Sequence, residues 1–163
     1  MTTPIFTSLW DFSLAHYAKP LVADTCLQLQ DSYGINVNVL LWTLWLENHN
    51  KLLTQEKLQL ALDAIALWDV NYVQPLRQLR RKMKQDFADN LVQVADVRDQ
   101  IKHAELLAEK QEQQWLDNVA QGWPESSSGN LTGKNLSLYL QHFQVPLAVI
   151  EMLPRQLTFS VCE

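Results

Sequence analysis

A chain of 163 residues with 47% hydrophobic content is long enough for one domain that buries roughly 70% of its unfolded surface. Its formal net charge of −5 argues against a dedicated nucleic-acid coat, and no DNA partner is expected. The most apolar run, Val39–Leu46, falls far short of the ~20 residues a membrane-spanning helix needs.

Met1–Trp10 carries no lysine or arginine and no apolar run of signal-peptide type follows it. Cys26 and Cys162 are isolated, with neither metal-ligand spacing nor a disulfide framework. Both features lead to the expectation of a cytoplasmic protein. Glycine is confined to Gly34, Gly122, Gly129 and Gly133, each at a break between helix-like segments. Since glycine costs a helix interior about 1 kcal/mol relative to alanine, this placement, with apolar residues recurring every three or four positions, predicts an all-α fold. A single-domain bundle of six to eight helices over residues 1–163 is expected, with a flexible loop near 122–131.

In chain order, Ser8-Leu-Trp-Asp11 is a capping-box-like start for a helix to about Lys19, with Leu9, Phe12 and Tyr17 near one face. Pro20 suits the first turn of a second helix that carries Val22, Cys26 and Leu29 and stops at Gly34. Asn36 can cap a third, Val37 to about Asn48, apolar almost all round and therefore central to the bundle. Thr54 opens a fourth through Leu58, Leu62, Ile65 and Trp68, which Pro75 must kink or split. Around Pro75, Tyr72, Leu76, Leu79 and Met83 are expected to line the apolar side, leaving the cations to point elsewhere. A long polar helix is predicted from Asp86 or Asp89 to about Gln121, with a narrow stripe of Leu91, Val94, Val97, Ile101, Ala104, Ala108 and Trp115. After the loop, short helices near Leu136–Phe143 and Pro146–Leu153 close the chain, and Pro154 ends the last.

Arg77, Arg80, Arg81, Lys82 and Lys84 form the strongest local charge feature, with no acid among them. On a helix Arg77, Arg81 and Lys84 fall within about one quadrant with Arg80 beside them, a stripe able to hold a phosphate or acidic partner. The competing reading is internal: Asp86–Asp117 carries about −5, and the two helices can pair as antiparallel neighbours. Asp86/Asp89 and Asp96/Asp99 have the three-residue spacing of Mg²⁺-binding carboxylates, but helix-terminal and surface pairing account for them without a metal. Asp99 and His103 lie four apart, while His16, His49 and His142 are scattered and read as surface or helix-end residues. Cys26 has a core context in which a thiol is inert. Trp42 and Trp45 read as core, with an apolar ligand pocket as the alternative, whereas Trp123 sits between Gly122 and Pro124 as a lid or a partner anchor.

Leu9-Trp-Asp-Phe-Ser-Leu-Ala-His-Tyr-Ala-Lys-Pro20, Cys26-Leu-Gln-Leu-Gln30, Gly34 with Val37-Asn38, Trp45-Leu46, Val73-Gln-Pro-Leu-Arg77 with Arg80-Arg81, and Lys102-His-Ala-Glu-Leu-Leu107 belong together. This set resembles a bacterial family of uncharacterised conserved proteins, a domain of unknown function, from about Leu9 to Gln141. The resemblance implies a small helical cytoplasmic protein and brings no catalytic residue. The family pattern has glycine after the proline of the first helix, where this chain has Leu21.

No nucleophile, base and oxyanion donor assemble in the sequence, so no catalytic residue, metal ligand or cofactor is assigned. The chain reads as a non-enzymatic binding or adaptor module, with Arg77, Arg80, Arg81, Lys84 and Trp123 as candidate binding residues. Another protein is the expected partner, with RNA or a phosphate ligand possible through the basic helix. The alternatives are a Mg²⁺-dependent enzyme acting on a diphosphate or isoprenoid-like substrate, and an apolar-ligand carrier.

Overall fold

Local capping chemistry sets three of the helix starts. In the computed structural model, which describes residues 8–158, Ser8 Oγ accepts from Asp11 N–H (3.1 Å) to open α1 (Leu9–Tyr17). Asn36 accepts from the amides of Asn38 and Val39 to open α3 (Val37–Asn48), and Thr54 from Lys57 N–H to open α4 (Gln55–Trp68). Between α1 and α3, α2 (Val22–Tyr33) ends at Gly34 in the left-handed conformation. Pro20 lies outside α2. The residue before the helix is Leu21, at φ +67°, a left-handed backbone that suits glycine. Leu21 is thus a leucine held in a backbone conformation that favours glycine.

The chain continues through α5 (Gln74–Asp86), a 3₁₀ turn (Leu91–Val94), α6 (Ala95–Ala120), α7 (Lys134–His142) and the short α8 (Leu147–Glu151) and α9 (Arg155–Thr158). Seven helices of at least nine residues carry the fold, and no strand occurs among the described residues. The protein is an all-α single domain. None of its described helices is long and apolar enough to cross a membrane. The long helix begins later than its sequence suggests, because the 3₁₀ turn separates it from the end of α5.

α3 is the axis of the bundle. Every residue from Asn38 to Leu46 is buried, and α1, α6 and α7 pack around it. Trp42 and Trp45 belong to this core. Cys26 is also there, its thiol pushed up to about 12 by burial, while Cys162 lies outside the described residues. His16, expected at the surface, is instead buried and stacked on Phe12 (5.2 Å); burial first, then Lys19, pushes its imidazole down to about 4.

α7 has no side-chain cap of its own. Glu47, near the end of α3, reaches across to accept from the amides of Gly133 (2.9 Å), Asn135 (2.9 Å) and Leu136 (3.0 Å). A carboxylate from another helix thus satisfies the orphan donors of this terminus. Asn135 completes the joint, accepting from Leu53 N–H and donating to Lys51 O, both at 2.8 Å. Two hydrogen bonds with Asn50 join the connecting segment at Ser126.

Candidate functional site

The site depends on one extra residue in a helix. Pro75 has no N–H, and its ring would collide with the carbonyl four residues back in a regular α-helix. The chain neither breaks nor simply kinks there. A π-helical turn, Asp69–Val73, joins α4 to α5, and Gln74 N–H bonds to Asp69 O five residues back. Asp69 also accepts from Gln74 Nε2 at 2.6 Å, which ties the turn together.

One inserted residue turns the following side chains by about 100° relative to an uninterrupted helix. α4 buries Leu58, Ala61 and Ile65, a face that would run on to Tyr72, Leu76 and Leu79 in a straight helix. After the π turn the inward positions are Val73, Arg77 and Arg80 instead. Val73 is fully buried, while Tyr72 and Leu79 stay 51% and 46% exposed. The expectation that apolar residues around Pro75 face the bundle and the cations face away holds for half-buried Leu76 and Met83 and for exposed Arg81 and Lys84. It is corrected for exposed Tyr72 and Leu79 and for Arg77 and Arg80, which turn inward.

Those arginines meet carboxylates of α6. Arg80 grips Glu105 through two bonds, Nε to Oε2 (2.5 Å) and Nη2 to Oε1 (3.0 Å). Arg77 bonds Glu109 (2.8 Å) and lies 3.4 Å from Glu105. Glu105 holds Arg80 above its ordinary pKa, and burial raises Glu109. Arg81 pairs with Asp31 of α2 (3.1 Å) in a solvent-exposed contact. Lys82 bonds Asp86 within α5, and Lys84 stands exposed one turn beyond Arg80.

Behind the ion pairs runs a buried chain of hydrogen bonds. Ser13 Oγ donates to Gln113 (3.1 Å), Gln113 Nε2 to Asn38 (2.9 Å), and Asn38 Nδ2 to Glu112 (2.7 Å). Asn36 Nδ2 donates to the other oxygen of Glu112 (2.8 Å), and Asn36 N–H to the Tyr139 hydroxyl (3.0 Å). Burial, reinforced by Asp69, pushes Glu112 up to about 7. The stripe expected on α6 misses this layer. The buried face is Glu105, Ala108, Glu112, Gln113, Leu116 and Ala120, while Val97 is 58% exposed. The three- and four-residue spacing was there to be read, but polar side chains occupy half of it.

α1, α2, α3, α5 and α6 enclose a cleft of about 320 Å³ over this layer. Arg77, Arg80, Arg81 and Lys102 line it opposite Glu105 and Glu109, with Ser13, Asn38 and Gln113 also on its lining. Trp10, Leu14, Tyr17, Leu27, Val37, Leu41 and Leu106 supply apolar wall. Of the residues expected from sequence, Arg77, Arg80 and Arg81 come together here and Lys84 lies just beyond. Trp123 lies elsewhere, 5.9 Å from the Trp42 ring with Lys57 over its own ring. Glu105, Glu109, Lys102 and the wall from α1 and α2 were not singled out as site residues, because no local pattern connects them.

Asp89, Asp96, Asp99 and His103 are exposed along the outer part of the α5–α6 hairpin. Among the described residues, no group of three His, Cys, Asp or Glu side chains is placed to hold a metal ion.

Fold and site together define an all-α bundle with an arginine–carboxylate cleft. Residues 8–116 match the model of a family described as a protein of unknown function (DUF2390), and the chain belongs to that family. The match contains every residue lining the cleft, from Trp10 to Gln113, and stops short of α7. Comparison with curated proteins found no match, and neither did comparison with solved structures.

Proposed function

We propose that this protein is a non-enzymatic binding module of the bacterial cytoplasm whose site is the cleft beside α5, and that what it binds there carries negative charge. The observation behind this reading is the charge of the lining: four cations, Arg77, Arg80, Arg81 and Lys102, face two carboxylates, Glu105 and Glu109. Arg77 and Arg80 are held in place by those carboxylates. Arg81 and Lys102 remain nearest to solvent, where they can meet a carboxylate or phosphate from a partner protein or a smaller ligand. Lys84 extends the positive edge along α5, and Trp123 is a separate contact point for a partner.

Calorimetric titration with inorganic phosphate, citrate and an acidic peptide tests the reading. Saturable binding to the cleft is expected in dilute buffer, weakening as salt screens it. The double variant Arg81→Glu/Lys102→Glu, changed only at solvent-facing positions, is expected to keep its melting temperature and lose the binding. Undiminished binding by that variant would show that the anion sits elsewhere.

A further inference from the structure

The cleft combines features that a bare anion would not need. Leu14 of α1, Leu27 of α2 and Leu106 of α6 all line it, yet remain 54%, 40% and 40% exposed. Single exposed leucines are ordinary, but three from separate helices lining one cavity offer a ligand a continuous apolar wall. Lys102, one turn before Leu106 on α6, has no carboxylate partner among the described residues. Arg81 has only Asp31, itself 58% exposed. The uncompensated charge of Lys102 therefore lies beside uncovered apolar surface, with Arg81 and its exposed ion pair at the same rim.

Resting on the reading of this cleft as an anion site, we infer that its ligand is a small amphipathic anion, with a carboxylate or phosphate head at Arg81 and Lys102 and an apolar body against Leu14, Leu27 and Leu106. At about 320 Å³ the cleft lies at the small end of small-molecule sites and is too confined for a partner helix ~10 Å across. Two of the three lining amides are engaged in holding the protein together: Gln113 accepts from Ser13 and donates to Asn38, and Asn38 donates to Glu112. Gln30 alone of the three is left to meet the edge of a nucleobase, against three exposed leucines that suit an apolar body. The apolar body gains by covering leucine surface that is otherwise open to water.

Calorimetry below the micelle concentration provides the test, with decanoate, decyl phosphate, acetate, decylammonium and adenosine monophosphate as probes. Decanoate or decyl phosphate is expected to bind one per chain, at least about tenfold tighter than acetate or decylammonium, and the better of the two identifies the head group. Leu14→Asn/Leu106→Asn should remove the advantage of decanoate over acetate. Arg81→Glu/Lys102→Glu should remove its advantage over decylammonium. If acetate or adenosine monophosphate binds as tightly as decanoate, the amphiphile is wrong while the anion site stands. Equal binding of decylammonium and decanoate would overturn both readings, as would no binding by any anionic probe.

Discussion

α6 passes through two environments. From Glu105 to Ala120 its inner face is buried, whereas residues 82–104, including the first ten of α6, contain no buried residue and form an arm with the end of α5. Acidic residues occur along both parts with opposite consequences. In the arm, Asp89, Asp96 and Asp99 sit in solvent, where an ion pair contributes at most about 1 kcal/mol. In the body, Glu105 and Glu112 are enclosed, and each is answered by side chains of another helix. The chemical type of a residue on this helix says little about its energetic role; its depth in the bundle says most.

The largest expected effect comes from removing the arginines that the π turn carries inward. Arg77→Ala/Arg80→Ala strips Glu105 of both its ion pairs. Because an enclosed carboxylate is left unanswered, a loss of about 3–5 kcal/mol is expected in urea unfolding. Stability within about 1 kcal/mol of the parent would show that Glu105 needs no counter-charge from α5.

A smaller, pH-dependent effect arises in the body. Glu112 rises from 4.5 to about 7 on folding, so between those values the folded chain holds a proton that the unfolded chain has released. Stability contributed by this group is therefore full below pH 4.5 and lost as pH rises through 7. Glu47, also pushed up to about 7 by burial, acts in the same direction. Glu112→Gln removes one of these titrations and leaves that of Glu47. Its stability relative to the parent should improve by up to about 3 kcal/mol between pH 5 and pH 8. Parallel curves for parent and Glu112→Gln would contradict the assignment.

The smallest effect is a gain. Leu21 is 56% exposed, so its side chain contributes little packing, while its left-handed backbone is strained for any residue with a Cβ. Leu21→Gly should stabilise the fold by about 0.5–1 kcal/mol, read as a rise in melting temperature. A fall would mean that the leucine's contacts outweigh its backbone strain.

Much of the fold is legible in the chain because helix caps act within a few residues. Ser8, Asn36 and Thr54 each bond an amide two or three positions ahead, and Gly34 supplies a left-handed C-cap. Such signals need no partner from elsewhere. The unbroken apolar character of Val37–Leu46 likewise marks a buried helix wherever it packs. The cations are conspicuous in the same way, and their pairing with the acidic helix is one of the two readings their sequence allows.

What the sequence by itself determined is the succession of helices α1 to α8, the central place of α3, and a basic helix followed by an acidic one; α9 follows Pro154, where proline is expected to end the last helix. Tertiary structure alone decided which side of each helix turns inward. The π turn ahead of Pro75 shifts the inward positions of α5 onto Arg77 and Arg80, and Asn36 and Asn38 allow α6 to bury Glu112 where a stripe rule expects an apolar residue. It also brought Trp10, Leu14 and Leu27 against Lys102 and Leu106 to make the cleft. The physical reason is that a buried charge is tolerable only when its counter-group arrives from another part of the chain, and that arrival leaves no mark in the local pattern.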